Sequence, residues 1–232
     1  MTAQLLWLLI LVPLAIALAT QLHLRSVYTR YRAVRNHAGQ TGAEVARELL
    51  DAHDLDNVRI APATRELTDQ YDGETKTLSL SQAVATEPSV AAMGISAHEV
   101  AHAYQDAEGE WAYRARRSIG EPLAQLSPFF SFSLIGGYWF GIPVLVIVSL
   151  VYAAGLVLFA FATLPVEFGA SHRAVDVLNQ TGLTDPQEQT GVRRVLSAAA
   201  LTYVVGLFDR LGYFLALVFI AEFMRRYAIG GG

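Results

Sequence analysis

The chain has no cysteine, a single lysine and, over one stretch of 40 residues, no charge at all. Without cysteine there are no disulfides and no thiolate metal sites, so any metal must be held by His, Asp or Glu. The lone Lys76 stands against sixteen arginines, a bias that reads as genome composition. The net charge of −4 lacks the basic excess of a phosphate-binding surface, so no nucleic-acid partner is expected.

The apolar residues are abundant and segregated. Of 232 residues, 53% are hydrophobic and 16% charged. Residues 23–126 carry 26 of the 38 charges, and 127–166 carry none. Such segregation points to a protein that is part membrane-embedded and part water-soluble. Leu5 to Leu22 is an uncharged, mostly apolar run long enough to cross a bilayer. No Lys or Arg precedes it, as a cleaved signal peptide would require, while Arg25, Arg30, Arg32 and Arg35 follow. An uncleaved anchor over 1–22 is expected, with the N-terminus outside and a cytoplasmic domain over 23–122. The uncharged stretch suits two spans, and Gly141-Ile142-Pro143 punctuates it. A transmembrane hairpin is therefore expected over 123–164, with arms at 123–140 and 144–164 around that turn. Residues 165–194 return to the cytoplasmic side. The apolar tail over 195–232, interrupted by Asp209-Arg210, is either one tilted helix or two helices along the membrane face, ending in a disordered Gly230-Gly231-Gly232.

In the soluble part, Thr41-Gly-Ala-Glu44 is a capping-box pattern that predicts a helix over 42–53. Val58-Arg59-Ile60 and Thr75–Leu80 read as short strands, with Tyr71-Asp72-Gly73 as a turn. A helix beginning near Pro88 or Ser89 carries His98-Glu99-Val100-Ala101-His102. Histidines at i and i+4 differ by about 40° around a helix, so both rings project from one face, at two corners of a zinc tetrahedron. Glu99 stands where it can take a proton from metal-bound water. A third ligand is needed. Glu167 is the first charge after the uncharged stretch, and an even number of intervening spans returns it to the side of His98. His172 is the other candidate, five residues on and off that face. Ser171, at i+4 from Glu167, can hydrogen-bond a liganding histidine. His172, Arg173 and Tyr71 are candidate oxyanion donors.

These residues resemble the YugP-type membrane zinc metallopeptidases, a branch of the bacterial neutral zinc peptidases. The resemblance runs through Thr41–Arg47, Leu67–Asp72, Leu78–Ser81, Ser89–Ala92, His98–Gln105, Leu164–Ala174 and Ala198–Tyr203. Two positions depart from the family pattern: Gln70 replaces a usual histidine, and Gly169 a usual Asp or Asn. The resemblance implies a Zn2+ held by His98, His102 and Glu167, with Glu99 as catalytic base. It also implies an endopeptidase of the bacterial inner membrane, facing the cytoplasm.

The expected fold is mainly α, a polytopic membrane protein with a zincin-like metal helix and a small β element. The expected partners are the bilayer and a polypeptide substrate, extended or unfolded, near the membrane. Such a substrate is expected to add to Thr75–Leu80 as an exposed edge strand. The competing readings are a non-proteolytic zinc-binding membrane scaffold and an intramembrane protease. An open three-ligand site argues against the first. Against the second stand the charges at Asp106, Glu108 and Glu110, which make the metal helix wet at its end.

Overall fold

A computed structural model of the chain describes residues 3–230. Gly231 and Gly232 of the expected disordered tail lie outside the described residues, and Gly230 ends a helix. Eight helices and three strands follow in the order α1 (Ala3–Arg32), α2 (Gly42–Asp51), β1 (Arg59–Pro62), β2 (Gln70–Asp72), β3 (Thr77–Leu80), α3 (Gln82–Thr86), α4 (Val90–Ala107), α5 (Trp111–Gln125), α6 (Ser127–Trp139), α7 (Pro143–Gln180) and α8 (Pro186–Gly230). The fold is mainly helical with one small sheet. Two compact units divide it: Thr20–Arg114 with Pro165–Thr202, and a second unit comprising the chain up to Ala19, Ala115–Leu164 and the chain from Tyr203 on.

The first unit is built around α4. Ser89 caps this helix by accepting the Ala92 N–H at 3.1 Å. Almost every α4 residue from Val90 to Asp106 is buried, as befits a helix apolar on most of its faces. Helix α2 is stopped at its start by the predicted capping box: the Glu44 N–H donates to Thr41 Oγ1 at 3.3 Å, and the Thr41 N–H to Glu44 Oε2 at 2.8 Å. Val45, Ala46, Leu49 and Leu50 form its buried face and share a core with Met93, Ala97, Val100 and Leu178. Close approach requires glycine at the start of α2. A Cβ on Gly42 would lie 2.2 Å from the Val84 carbonyl oxygen, and one methyl added there would force the backbone apart.

The sheet corrects the expected substrate strand. Strand order is β1-β3-β2, with β1 parallel and β2 antiparallel to β3. Thr77–Leu80 is thus the central strand, with Leu78 and Leu80 fully buried. Its alternation reflects one face packed on the core, a pattern edge and central strands share. The edge facing α4 is instead β2, which includes Tyr71 and Asp72. The turn expected over Tyr71–Gly73 begins instead at Gly73: Asp72 Oδ1 accepts the Glu74 N–H at 2.8 Å and Oδ2 the Thr75 hydroxyl at 2.6 Å.

In the second unit, large apolar side chains face outward, among them Phe132, Trp139, Val151 and Leu158. The described residues contain three helices long and apolar enough to cross a membrane: Leu11–Arg32 of α1, Pro143–Gln180, and Pro186–Phe219 of α8. The first arm expected over 123–140 is not one helix. It is broken at Leu126, and α6 restarts with Pro128 in its first turn, where the missing N–H leaves no intrahelical bond unmade. At 13 residues, α6 is about 20 Å long, short of the ~30 Å hydrocarbon core. It pairs with α7 through the Ser133–Ser149 hydroxyl bond at 2.7 Å, and a Cβ on Gly137 would meet Val146 Cγ2 at 2.9 Å. Of the two arrangements open for the tail, α8 is a single helix running through Asp209 and Arg210.

Candidate metal centre

Helix α4 presents His98 and His102 on one face, their ring centroids 4.8 Å apart and nearly perpendicular. Helix α7 brings Glu167 against them. His98 Nε2 lies 3.3 Å from Glu167 Oε2, and His102 Nε2 lies 3.7 Å from Glu167 Oε1. One ligand atom from each of the three lies within 4.8 Å of the others. Donors about 2.1 Å from a tetrahedral zinc stand roughly 3.4 Å apart, so this donor set fits the ion. Its chemistry fits as well. A carboxylate only 1% exposed between two imidazoles is costly to bury unless positive charge faces it.

The far side of each imidazole is held. His102 Nδ1 lies 2.8 Å from Gln105 Oε1, and Gln105 Nε2 donates to the Val166 carbonyl at 3.3 Å. One amide therefore braces both a histidine and the backbone beside Glu167. His98 Nδ1 lies 3.3 Å from Ser171 Oγ, as the i+4 spacing from Glu167 predicted. The Gln105 amide oxygen can only accept, so His102 Nδ1–H donates and its Nε2 is left bare as the ligand atom. A Cβ at Gly169 would lie 3.4 Å from Gln105 Nε2, so a side chain there would touch this brace.

Glu99 adjoins the donors, and its Oε2 accepts the Tyr71 N–H of β2 at 2.9 Å. Burial pushes its carboxyl up to about 7, against the pull of His98 and the Tyr71 N–H. A carboxyl titrating there is suited to accept and release a proton near neutrality.

The other candidates are placed differently. The Tyr71 hydroxyl donates to Asp106 Oδ2 at 2.9 Å. Arg173 donates to Glu108 at 2.8 Å and lies 3.6 Å from Glu110, tying α7 to the end of α4. His172 is exposed, and its ring is not among the donors grouped around Glu167. Two neighbours were not anticipated. Gln105 lies three residues past His102, a visible spacing with no visible partner. Tyr113 packs its ring 5.7 Å from that of His102, and no sequence signal marks it. A second group of metal-type donors, His37, Asp185 and Glu188, is occupied as a helix cap. Asp185 Oδ1 accepts the N–H groups of Gln187 and Glu188, while Glu188 accepts those of His37 and Asp185.

A family model described as "Putative neutral zinc metallopeptidase" matches residues 6–222. The chain is 35% identical over 204 residues to a Bacillus subtilis (strain 168) protein named "Putative membrane protease YugP", covering 86% of this chain and 91% of the relative. No solved structure matches. The match spans nearly the whole chain, including α4 and the part of α7 that bears Glu167, and the chain belongs to this neutral zinc metallopeptidase family.

Proposed function

We propose that the protein is a membrane-embedded zinc endopeptidase in which His98, His102 and Glu167 hold the metal and Glu99 is the general base. The observation that carries this reading is the approach of Glu167 to both histidines while Glu99 is held outside the donor set by the Tyr71 N–H. Three protein donors leave a fourth position for water, the arrangement of a catalytic rather than a structural site. Zinc, when bound, acidifies that water and polarises the peptide carbonyl. Glu99 takes the water proton on its free oxygen and passes it towards the departing amine. Gln105 keeps the His102 imidazole in the tautomer that presents Nε2, and Ser171 steadies the His98 ring. Ser171 and Gln105 are thus bracing groups, and Arg173, tied to Glu108, fastens α7 to α4. His172 keeps its candidacy as oxyanion donor on proximity in sequence alone.

The substrate is a polypeptide in extended form. Such a segment is recognised through its main chain, which gives loose side-chain preference. Apolar helices at both ends of the soluble residues keep the cleft near the bilayer, and the arginines after the first apolar run set the cytoplasmic orientation. The test is cleavage of unfolded membrane-protein segments by detergent-purified protein. Wild type hydrolyses them, while Glu99→Gln keeps its zinc and does not; hydrolysis by Glu99→Gln at the wild-type rate refutes the assignment.

A further inference from the structure

We propose that Lys76, acting through Asp106, is a positioning residue that clamps Tyr71 of strand β2 against the metal helix and so sets the catalytic base Glu99. This rests on the peptidase reading above and adds a device to its site.

Lys76 occupies an unlikely place. Its backbone is left-handed, with φ +50, at the end of the turn joining β2 to β3. That conformation favours glycine, and any other side chain there is strained. The chain otherwise uses arginine for its basic residues, sixteen to one. Neither glycine nor arginine stands there, and the ammonium has a defined partner. Its Nζ reaches Asp106 Oδ2 at 2.5 Å. A lysine is a compact point charge with three donors, suited to a single carboxylate oxygen that a second donor also uses.

That second donor is the Tyr71 hydroxyl, 2.9 Å from the same Oδ2. Asp106 is 7% exposed and lies on α4 one turn past His102, where two charge-assisted bonds in a low dielectric are strong and directional. Tyr71 is therefore fixed to α4 at two points. Its side chain is held by Asp106, and its backbone N–H holds Glu99 Oε2. Both attachments come from one helix, Glu99 one residue and Asp106 eight residues past His98. The strand β2 is three residues long and lies at the sheet edge, too short to be fixed by its ladder alone. With the clamp in place, the Tyr71 N–H points steadily at Glu99, leaving the other carboxylate oxygen aimed at the water. Without it, β2 relaxes and the base loses its alignment, and a displacement of an ångström costs about 10- to 100-fold in rate.

The experiment compares wild type with Lys76→Met, Lys76→Arg and Tyr71→Phe as full-length, detergent-purified, zinc-loaded proteins. Hydrogen exchange at residues 70–72 is measured alongside kcat and KM for an unfolded peptide. The Lys76 side chain is 41% exposed, so its replacement by Met opens no buried cavity. The expected result is a kcat about 10-fold lower in Lys76→Met and Tyr71→Phe, with KM and zinc content near wild type and faster exchange of the Tyr71 amide. Lys76→Arg restores part of both. Unchanged exchange and kcat in Lys76→Met overturn the proposal, as does a loss matched by the loss of folded, zinc-loaded protein. A wild type that cleaves nothing refutes the peptidase reading instead, and the exchange of the Tyr71 amide still decides whether the clamp exists.

Discussion

Replacing Gln105 by leucine tests the bracing of the metal site without touching a ligand. Gln105 makes two bonds, accepting from His102 Nδ1 at 2.8 Å and donating to the Val166 carbonyl at 3.3 Å. Leucine has nearly the same volume and can make neither. His102 then loses the group that fixes its tautomer and ring orientation, and the peptide beside Glu167 loses its tie to α4. Partners of liganding histidines typically contribute 10- to 100-fold in metal affinity, or about 1.4–2.7 kcal/mol. Zinc competition against a chelator of known affinity, at fixed pH, reads this directly. Gln105→Leu should bind zinc about 10- to 100-fold more weakly. Gln105→Glu keeps the acceptor for His102 and makes the ring a stronger donor to the metal, so it should retain most of the affinity. Equal affinity in wild type and Gln105→Leu would show that the His102 bond does not hold the ligand and would refute the reasoning.

Two further outcomes follow from the same geometry. After chelation, stability should fall as pH rises through about 7, because the buried Glu99 carboxyl has a raised pKa. A raised carboxyl contributes stability fully below its ordinary pKa and loses it as pH passes the folded value, here about 3 kcal/mol. Thermal melting of chelated protein from pH 5 to 9 should show this slope, and Glu99→Gln should flatten it; a slope unchanged in the variant assigns the effect to another group. The cysteine-free chain also permits single-cysteine labelling. Asp54→Cys and Asp185→Cys should react from one face of the membrane, and labelling from opposite faces contradicts the proposed topology.

The histidine pair of the candidate metal site was legible in the sequence because its parts are local. The His98 and His102 spacing places both rings by helix geometry alone, and Thr41 with Glu44 marks a helix start within one turn. Glu167 was visible for a different reason, as the first charge after forty uncharged residues. What could not be read depends on which element packs against which. Strand β2 spans three residues and gains its strand character from pairing with β3, so Tyr-Asp-Gly reads as a turn. Thr77–Leu80 alternates as an edge strand would, yet its place in the middle is set by β1, a pairing between distant residues. Gln105 and Lys76 carry no motif. Their roles appear only when α7 brings Val166 to Gln105 and the β2–β3 turn carries Lys76 to Asp106.

The central claim is that one zinc is held by His98, His102 and Glu167 and used by Glu99. Zinc content and peptide turnover, measured together on the same detergent-purified preparations of wild type, His102→Ala, Glu167→Ala and Glu99→Gln, test it most directly. The account predicts one zinc per chain with turnover in wild type, loss of both in His102→Ala and Glu167→Ala, and a full zinc complement without turnover in Glu99→Gln. Full zinc in either ligand variant, or turnover in Glu99→Gln, contradicts it.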